Sequence, residues 1–426
     1  MGFETVMTEY MNQELKFEEL EERNKILFEK NSNVPFSGDV VGKEKGTVKN
    51  GNKHGPWEIF WDSGQLEEKG EYKNGKHEGY WETFYRDGQL WEKGFYRDGK
   101  EEGEWTYFHD NGQVWYKGSF KAGYKDGPWK GYYSNGQLSS EGSYAHKLDT
   151  VTRQTDFDSD PPDFNDGTKV GRWVTFHENG KLRNEGDYKD GKRTGPWVFY
   201  YDNGQLASEV SYQNGNKEGL GVEYHENGQL ESEGDYKNGL AEGVWHYYTE
   251  DGELHEKGNR RLGEWDGLWS VYWANGQLRK QGEYKNSLEE GCWSYYHENG
   301  QLEGKSEYKN GRREGSSVLY WQNGELRSEG KFKNNDLEGI WVWYHENGQV
   351  SGKVDHKGGN EEGPYISYHD NGQLASEGSF VNGKREGFWT FYKKDGSIQQ
   401  DPDYGYRGTV LHEGTGNYKD DKKVSD

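Results

Sequence analysis

The residues whose types could carry chemistry are histidines and carboxylates at regular spacing. His109, His177, His225, His297, His345 and His369 each stand immediately before an Asp-Asn-Gly or Glu-Asn-Gly sequence. A ladder of metal ligands is one reading of that phase. If each copy is a hairpin, equivalent side chains lie about 9.5 Å apart, whereas zinc holds its nitrogen donors at roughly 2.0–2.1 Å. The spacing favours solvated rings flanking turns. A second cluster, Asp156, Asp158, Asp160, Asp163 and Asp166, lies in LDTVTRQTDFDSDPPDFNDGTK and has the alternation of a calcium loop. Pro161 stands where such a loop needs glycine and Gly167 where it needs a bidentate glutamate. An acidic surface loop at about residues 145–168 is therefore expected. No nucleophile–base signature and no phosphate-binding glycine loop stands out, so the chain is expected not to be an enzyme and to need no cofactor or metal.

The elements that carry these residues follow from self-similarity. Turn glycines recur every 24 residues from Gly64 to Gly136 and from Gly180 to Gly396, with one step of 44 between the two series. The repeated phrase is roughly G-x-W-x-x-Y-Y-x-N-G-Q-L-x-x-E-G-x-Y-K-N-G-K-x-E, in about fourteen copies. Asn-Gly between aromatic and aliphatic runs is a strong hairpin signal, because a type I′ turn needs positive φ at both central residues. With Asn111-Gly112 as such a turn, pairing outward sets His109 against Val114, Phe108 against Trp115, Tyr107 against Tyr116 and Trp105 against Gly118. A second turn in each copy, as at Asn74-Gly75 and Asn238-Gly239, joins one hairpin to the next. The expected fold is all-β: an extended, twisted, single-layer antiparallel meander of about 28 strands, on the order of 130 Å long.

Facing residues share one side of a sheet, so a large indole needs a small partner. Trp81 is expected to face Gly94, with Leu90, Tyr96 and Tyr85 on the same side. Trp57, Trp81, Trp105, Trp129, Trp173, Trp197, Trp245, Trp269, Trp293, Trp341 and Trp389 form this packing row. Three residues on, at odd spacing, a second row points the other way. It comprises Phe60, Phe84, Phe108, Tyr132, Phe176, Tyr200, Tyr224, Tyr248, Tyr272, Tyr296, Tyr320, Tyr344, Tyr368 and Tyr392, the candidate partner-binding face. The tryptophan position is Gly221, Ser317 and Tyr365 in three copies, the glycine is Val210, Ser306 and Val354 in three, and the second tyrosine is Arg260 and His356 in two. Those copies are expected to be weak points of the array.

Composition limits the function classes. A net charge of -23 repels nucleic acid and anionic membrane surfaces. Hydrophobic residues make up only 30% of the chain, yet 18 Trp and 32 Tyr demand burial, which suits a thin architecture better than a thick core. Cys292 is the one cysteine, so no disulfide forms within the chain. The opening residues lack the basic and apolar regions of a signal peptide, and no apolar run is long enough to span a bilayer. A cytoplasmic location is expected, with the cell envelope or secretion as the alternative if a signal precedes this start. Residues 1–35 are read as a helical cap or tether, with helix formers over 14–30, residues 36–404 as the array, and 405–426 as a last strand and tail.

Segments such as NGQLWEKGFYRDGKEEGEWTYFHDNGQ and NGQLASEGSFVNGKREGFWTFYKKDG resemble MORN-variant repeats, and in particular the bacterial YwqK-type repeat proteins labelled as antitoxins. The likeness covers about residues 36–404. It implies stacked antiparallel hairpins and a non-enzymatic protein-binding scaffold, with a basic toxin as one partner, masked stoichiometrically. Two alternatives come from other classes. One is a cell-envelope glycan-binding module with aromatic ladders, and the other a structural strut or homodimerisation element.

Overall fold

The computed structural model describes residues 13–145, 167–400, 403–404, 410–412 and 414–426. Contacts divide the chain into two compact units, residues 1–217 and 218–426. Each is an antiparallel meander in which nine-residue and eight-residue strands alternate, as in Lys100–Phe108 and Val114–Lys121 of the first unit and Leu288–Tyr296 and Leu302–Lys309 of the second. The acidic cluster Asp156–Asp166 lies outside the described residues.

The two turns of each copy differ in kind. Asn74 and Gly75 both have positive φ, 52° and 75°, as a type I′ turn requires. At Asn111-Gly112 only the glycine does, at 78°. There the Gly112 N–H donates to the His109 carbonyl (2.9 Å) and the His109 N–H to the Gln113 carbonyl (2.8 Å). This is a type I turn closed by a glycine bulge, the usual three-residue hairpin loop. Asn111 Oδ1 holds it by accepting the Gln113 N–H at 3.0 Å. The bulge leaves Trp115 without a partner and sets Phe108 against Val114, correcting the expected pairing by one residue, while Tyr107–Tyr116 and Trp105–Gly118 pair as read. For the same reason Leu90 pairs with Phe84, on the side opposite Trp81.

A second irregularity positions the indole. Gly103, with φ 70°, opens a bulge before Trp105, so the register passes from Glu102–Phe95 directly to Thr106–Lys93. The bulge frees the Phe95 carbonyl, and Trp105 Nε1 donates to it at 3.2 Å. The ring therefore lies over Gly94 on the preceding strand, not over its partner on the following one. A β-carbon at Gly94 would stand 2.1 Å from Trp105 Cδ2. Tyr96 meets the same indole edge-on, with centroids 5.0 Å apart. All eleven tryptophans of the row are buried, from 0% exposure at Trp293 to 5% at Trp173.

The amino-terminal helix is not formed. Residues 14–30 make a short strand, Glu14–Lys16, one 3-10 turn, Phe17–Glu19, and a hairpin of Leu20–Arg23 with Ile26–Glu29. Asn24 and Lys25 both take positive φ and turn the chain. Helix propensity is a weak prior, and tertiary burial overrides it. As strands, Leu20 and Leu27 join Phe36, Val40, Val48 and Trp57 in one buried cluster. Glu14–Lys16 pairs in parallel with Gly38–Val41, covering an edge that would otherwise be open. At the other end Gly416–Lys419 and Lys422–Ser425 form a hairpin against Lys384–Phe391.

Candidate functional site

The regular part of the repeat is consumed by hydrogen bonding. His109, His177, His225, His345 and His369 each donate Nε2–H to a carbonyl 23 residues on, at 2.8–3.0 Å. Tyr85, Tyr133, Trp273 and Trp321 occupy the same phase and donate to the equivalent carbonyls. Nε2 is thereby committed as a donor, which leaves a lone pair on Nδ1 alone. These rings are struts between copies, whereas Nε2 of His297, in the same phase, is buried without a hydrogen-bond partner, and no cluster of metal-ligating side chains occurs among the described residues.

The glutamate closing the repeated phrase is likewise occupied. Glu78 accepts the Asp98 N–H, Glu102 that of Ala122, Glu290 that of Asn310 and Glu314 that of Asn334, each at 2.8–3.0 Å. These amides belong to type I′ turns, where the backbone leaves them unpaired. Part of the chain's acidity therefore caps turns.

The three copies without tryptophan obey the slot rule. Every indole lies over a glycine 11 residues earlier, or 31 earlier across the insertion. Where the indole is lost, so is the glycine: Val210 with Gly221, Ser306 with Ser317, and Val354 with Tyr365. Ser306 and Ser317 are buried and joined hydroxyl to hydroxyl at 2.8 Å. That site is repacked.

The fourteen rings of the candidate partner face, Phe60 to Tyr392, are all half-buried. Lysines lie over five of them, with Nζ 4.5–5.8 Å from the ring centres of Phe60, Phe84, Phe108, Tyr132 and Tyr272. The hydroxyls of Tyr248, Tyr344 and Tyr392 donate to Glu233, Glu329 and Glu377. The more exposed apolar residues on that face are one position before each tryptophan. In the second unit they are Leu220 (59% exposed), Val244 (53%), Leu268 (52%), Ile340 (65%) and Phe388 (56%), with Cys292 also exposed. Directly across the strand pairs, and so on the same side, stand Asp235 for Leu220, Glu283 for Leu268, Glu307 for Cys292 and Asp355 for Ile340. Leu240, Leu262 and Leu288, at 46–70% exposure, extend the apolar surface toward the type I′ turns. Sequence reading passed over this row because it is the variable letter of G-x-W. Its signal is a run of aliphatic residues at 24-residue spacing in a polar chain.

The sequence matches the MORN repeat variant family in twelve segments: residues 53–74, 78–98, 101–122, 125–146, 169–190, 193–214, 217–238, 265–286, 289–310, 313–334, 337–357 and 361–382. Together these cover more than half of the chain. No curated protein matches. Among solved structures the chain is similar to TcdB2-TccC3-Cdc42, at 11% identity and a TM-score of 0.15, over 87% of this chain and 23% of that one. It is also similar to a TccC3 mutant of the Photorhabdus luminescens Tc holotoxin pore, at 11% identity and a TM-score of 0.13, over 88% of this chain and 24% of that one. The chain thus spans about a quarter of their length. Among the described residues no helix is long and apolar enough to cross a membrane.

Proposed function

Because the chain belongs to the family of MORN repeat variants, whose repeats commonly mediate protein or membrane binding, we propose that it is a non-enzymatic scaffold that masks a basic protein partner. The observation that carries this reading is the row Leu220, Val244 and Leu268, half-exposed aliphatic side chains with Asp235 and Glu283 across from the outer two. Apolar anchors ringed by acid bury area against a partner, while the charge steers a basic one in. An antitoxin that neutralises a small basic toxin by stoichiometric masking is the specific form of this function. The exposed, unpaired thiol of Cys292 suits a reducing compartment, hence the cytoplasm.

The test is co-expression with the product of the adjacent gene, followed by capture and growth measurement. A stable complex that restores growth is the expected result. The triple substitution Leu220→Lys, Val244→Lys and Leu268→Lys should abolish capture while leaving the circular dichroism unchanged. Capture that survives the triple substitution would move the interface elsewhere. Absence of both toxicity and complex would remove the masking function, and self-association in its place would favour a dimerisation element.

A further inference from the structure

On the tryptophan side of the sheet, several copies place one of their own cations against the aromatic pair. In the first copy Lys53 Nζ ion-pairs with Glu44 and lies 4.7 Å from the Trp57 ring centre and 5.2 Å from that of Tyr72. Lys125, only 4% exposed, sits 5.0–5.2 Å from the rings of Tyr116, Trp129 and Tyr144. Lys169 and Arg193 hold the same station over Trp173 and Trp197, at 4.6 and 4.5 Å. Attraction between a cation and the negative face of a ring strengthens as water is excluded.

The copy around Trp105 keeps the carboxylate and the rings but has no such cation. Glu92 occupies the station of Glu44, and Tyr96, Tyr107 and Phe120 surround the indole with centroids 5.0–6.1 Å away. At the station of Lys53 and Lys125 stands Glu101, whose Oε2 lies toward the next turn, 3.3 Å from where a β-carbon on Gly123 would be. Glu92 makes no ion pair among the described residues, and its carboxylate accepts a hydrogen bond from the Thr83 hydroxyl at 3.3 Å. Burial, reinforced by the negative charges of Glu68 and Glu101, lifts its carboxyl to about 7. Arg193 stacks on Phe199 as well as Trp197, so an aromatic two residues after the tryptophan, the place of Tyr107, leaves room for a cation.

We propose that the site formed by Glu92, Trp105, Tyr96 and Tyr107 accepts a primary ammonium group on an aliphatic stem, supplied from outside the chain. A lysine side chain and a free aliphatic amine share that chemistry. The ammonium hydrogen-bonds Glu92 as Lys53 does Glu44, and its stem lies along the rings. Charge balance follows, since the incoming cation ionises Glu92 and releases its proton near neutral pH.

The test is saturation-transfer nuclear magnetic resonance on the full chain with n-butylammonium, alongside tetramethylammonium and a blocked lysine peptide. Saturable butylammonium binding at about millimolar Kd is expected, with tetramethylammonium at least tenfold weaker because it offers no N–H to the carboxylate. Glu101→Lys places a cation from the chain itself in the site. It should fold, unfold at a higher temperature and bind butylammonium at least tenfold more weakly. Glu92→Gln should weaken binding equally, and calorimetry in two buffers should lose its dependence on buffer ionisation heat. A lysine peptide that binds more than tenfold tighter than butylammonium assigns the ligand to a protein side chain, and equal affinities assign it to a free amine. No saturable binding, or equal binding to Glu101→Lys and the unaltered chain, would overturn the site.

Discussion

The slot beneath each indole makes a quantitative demand that paired substitutions can test. Gly282 has ordinary backbone geometry, so replacing it carries no conformational penalty of the kind that left-handed glycines impose. The α-hydrogen that a side chain would replace, however, faces Trp293. A β-carbon there would stand 2.2 Å from Cδ2 and 2.4 Å from Cε2 of a ring with 0% exposure. Gly282→Ser must lift the indole, and overpacking of this kind costs about 3 kcal/mol. Trp293→Ser removes the ring itself, at about 4 kcal/mol. Independent effects would sum to about 7 kcal/mol, but once the ring is gone the serine at 282 has nothing to strike, so the double variant should cost about 4 and show a coupling near 3 kcal/mol. The chain contains the outcome already, since Ser306 and Ser317 occupy the equivalent stations and hydrogen-bond at 2.8 Å. Hydrogen exchange at the amides of Leu278–Lys285 and Leu288–Tyr296 is the suitable assay, because arrays unfold locally and a single global midpoint averages the copies. Additive costs, or a silent Gly282→Ser, would refute the slot.

Other outcomes follow from individual groups. The folded chain holds the Glu92 carboxyl at about 7 against an ordinary 4.5, so protonation favours the fold. This stabilisation is complete below about 4.5, is lost as pH rises through 7, and is on the order of 3 kcal/mol. Thermal melts should show Glu92→Gln stabilising at pH 8 and nearly neutral at pH 4. Glu290→Ala leaves the Asn310 amide without its carboxylate and should cost about 1 kcal/mol, read as faster exchange at that amide. Zinc should leave the melting curve unchanged, because no cluster of metal-ligating side chains occurs among the described residues. A zinc-dependent rise of several degrees would restore the ligand reading.

The period, the hairpins and the pairing of Trp105 with Gly118 were legible because alternation and turn chemistry are local. What escaped depends on single extra residues. Nothing in Asn-Gly says whether both residues or only the second takes positive φ, and that choice moved Phe108 from Trp115 to Val114 and Leu90 to the far face. The glycine before each tryptophan reads as a flexible residue until the bulge at Gly103 shows that it re-aims the indole to the previous strand. The amino-terminal residues mislead differently. ELKFEELEERNK favours a helix by propensity, yet Leu20 and Leu27 reach the cluster around Trp57 only as a hairpin.

In an array, a residue that recurs from copy to copy is explained once the contact that it makes there is known. Histidine struts, turn-capping glutamates and slot glycines are all explained this way, leaving the positions where copies differ to distinguish one surface from another. The residue before each tryptophan makes no contact that the repeat depends on, and it is Pro56, Glu104 and Arg172 in three copies of the first unit. At Leu220, Val244, Leu268 and Ile340 the same position is aliphatic and more than half exposed. A polar side chain there would pair its strand equally well and keep the surface wetted, so the sheet gains little from leucine or valine at these places. A contact outside the chain is what such side chains serve, and the surface of 220–288 is where substitutions should separate binding from folding most cleanly.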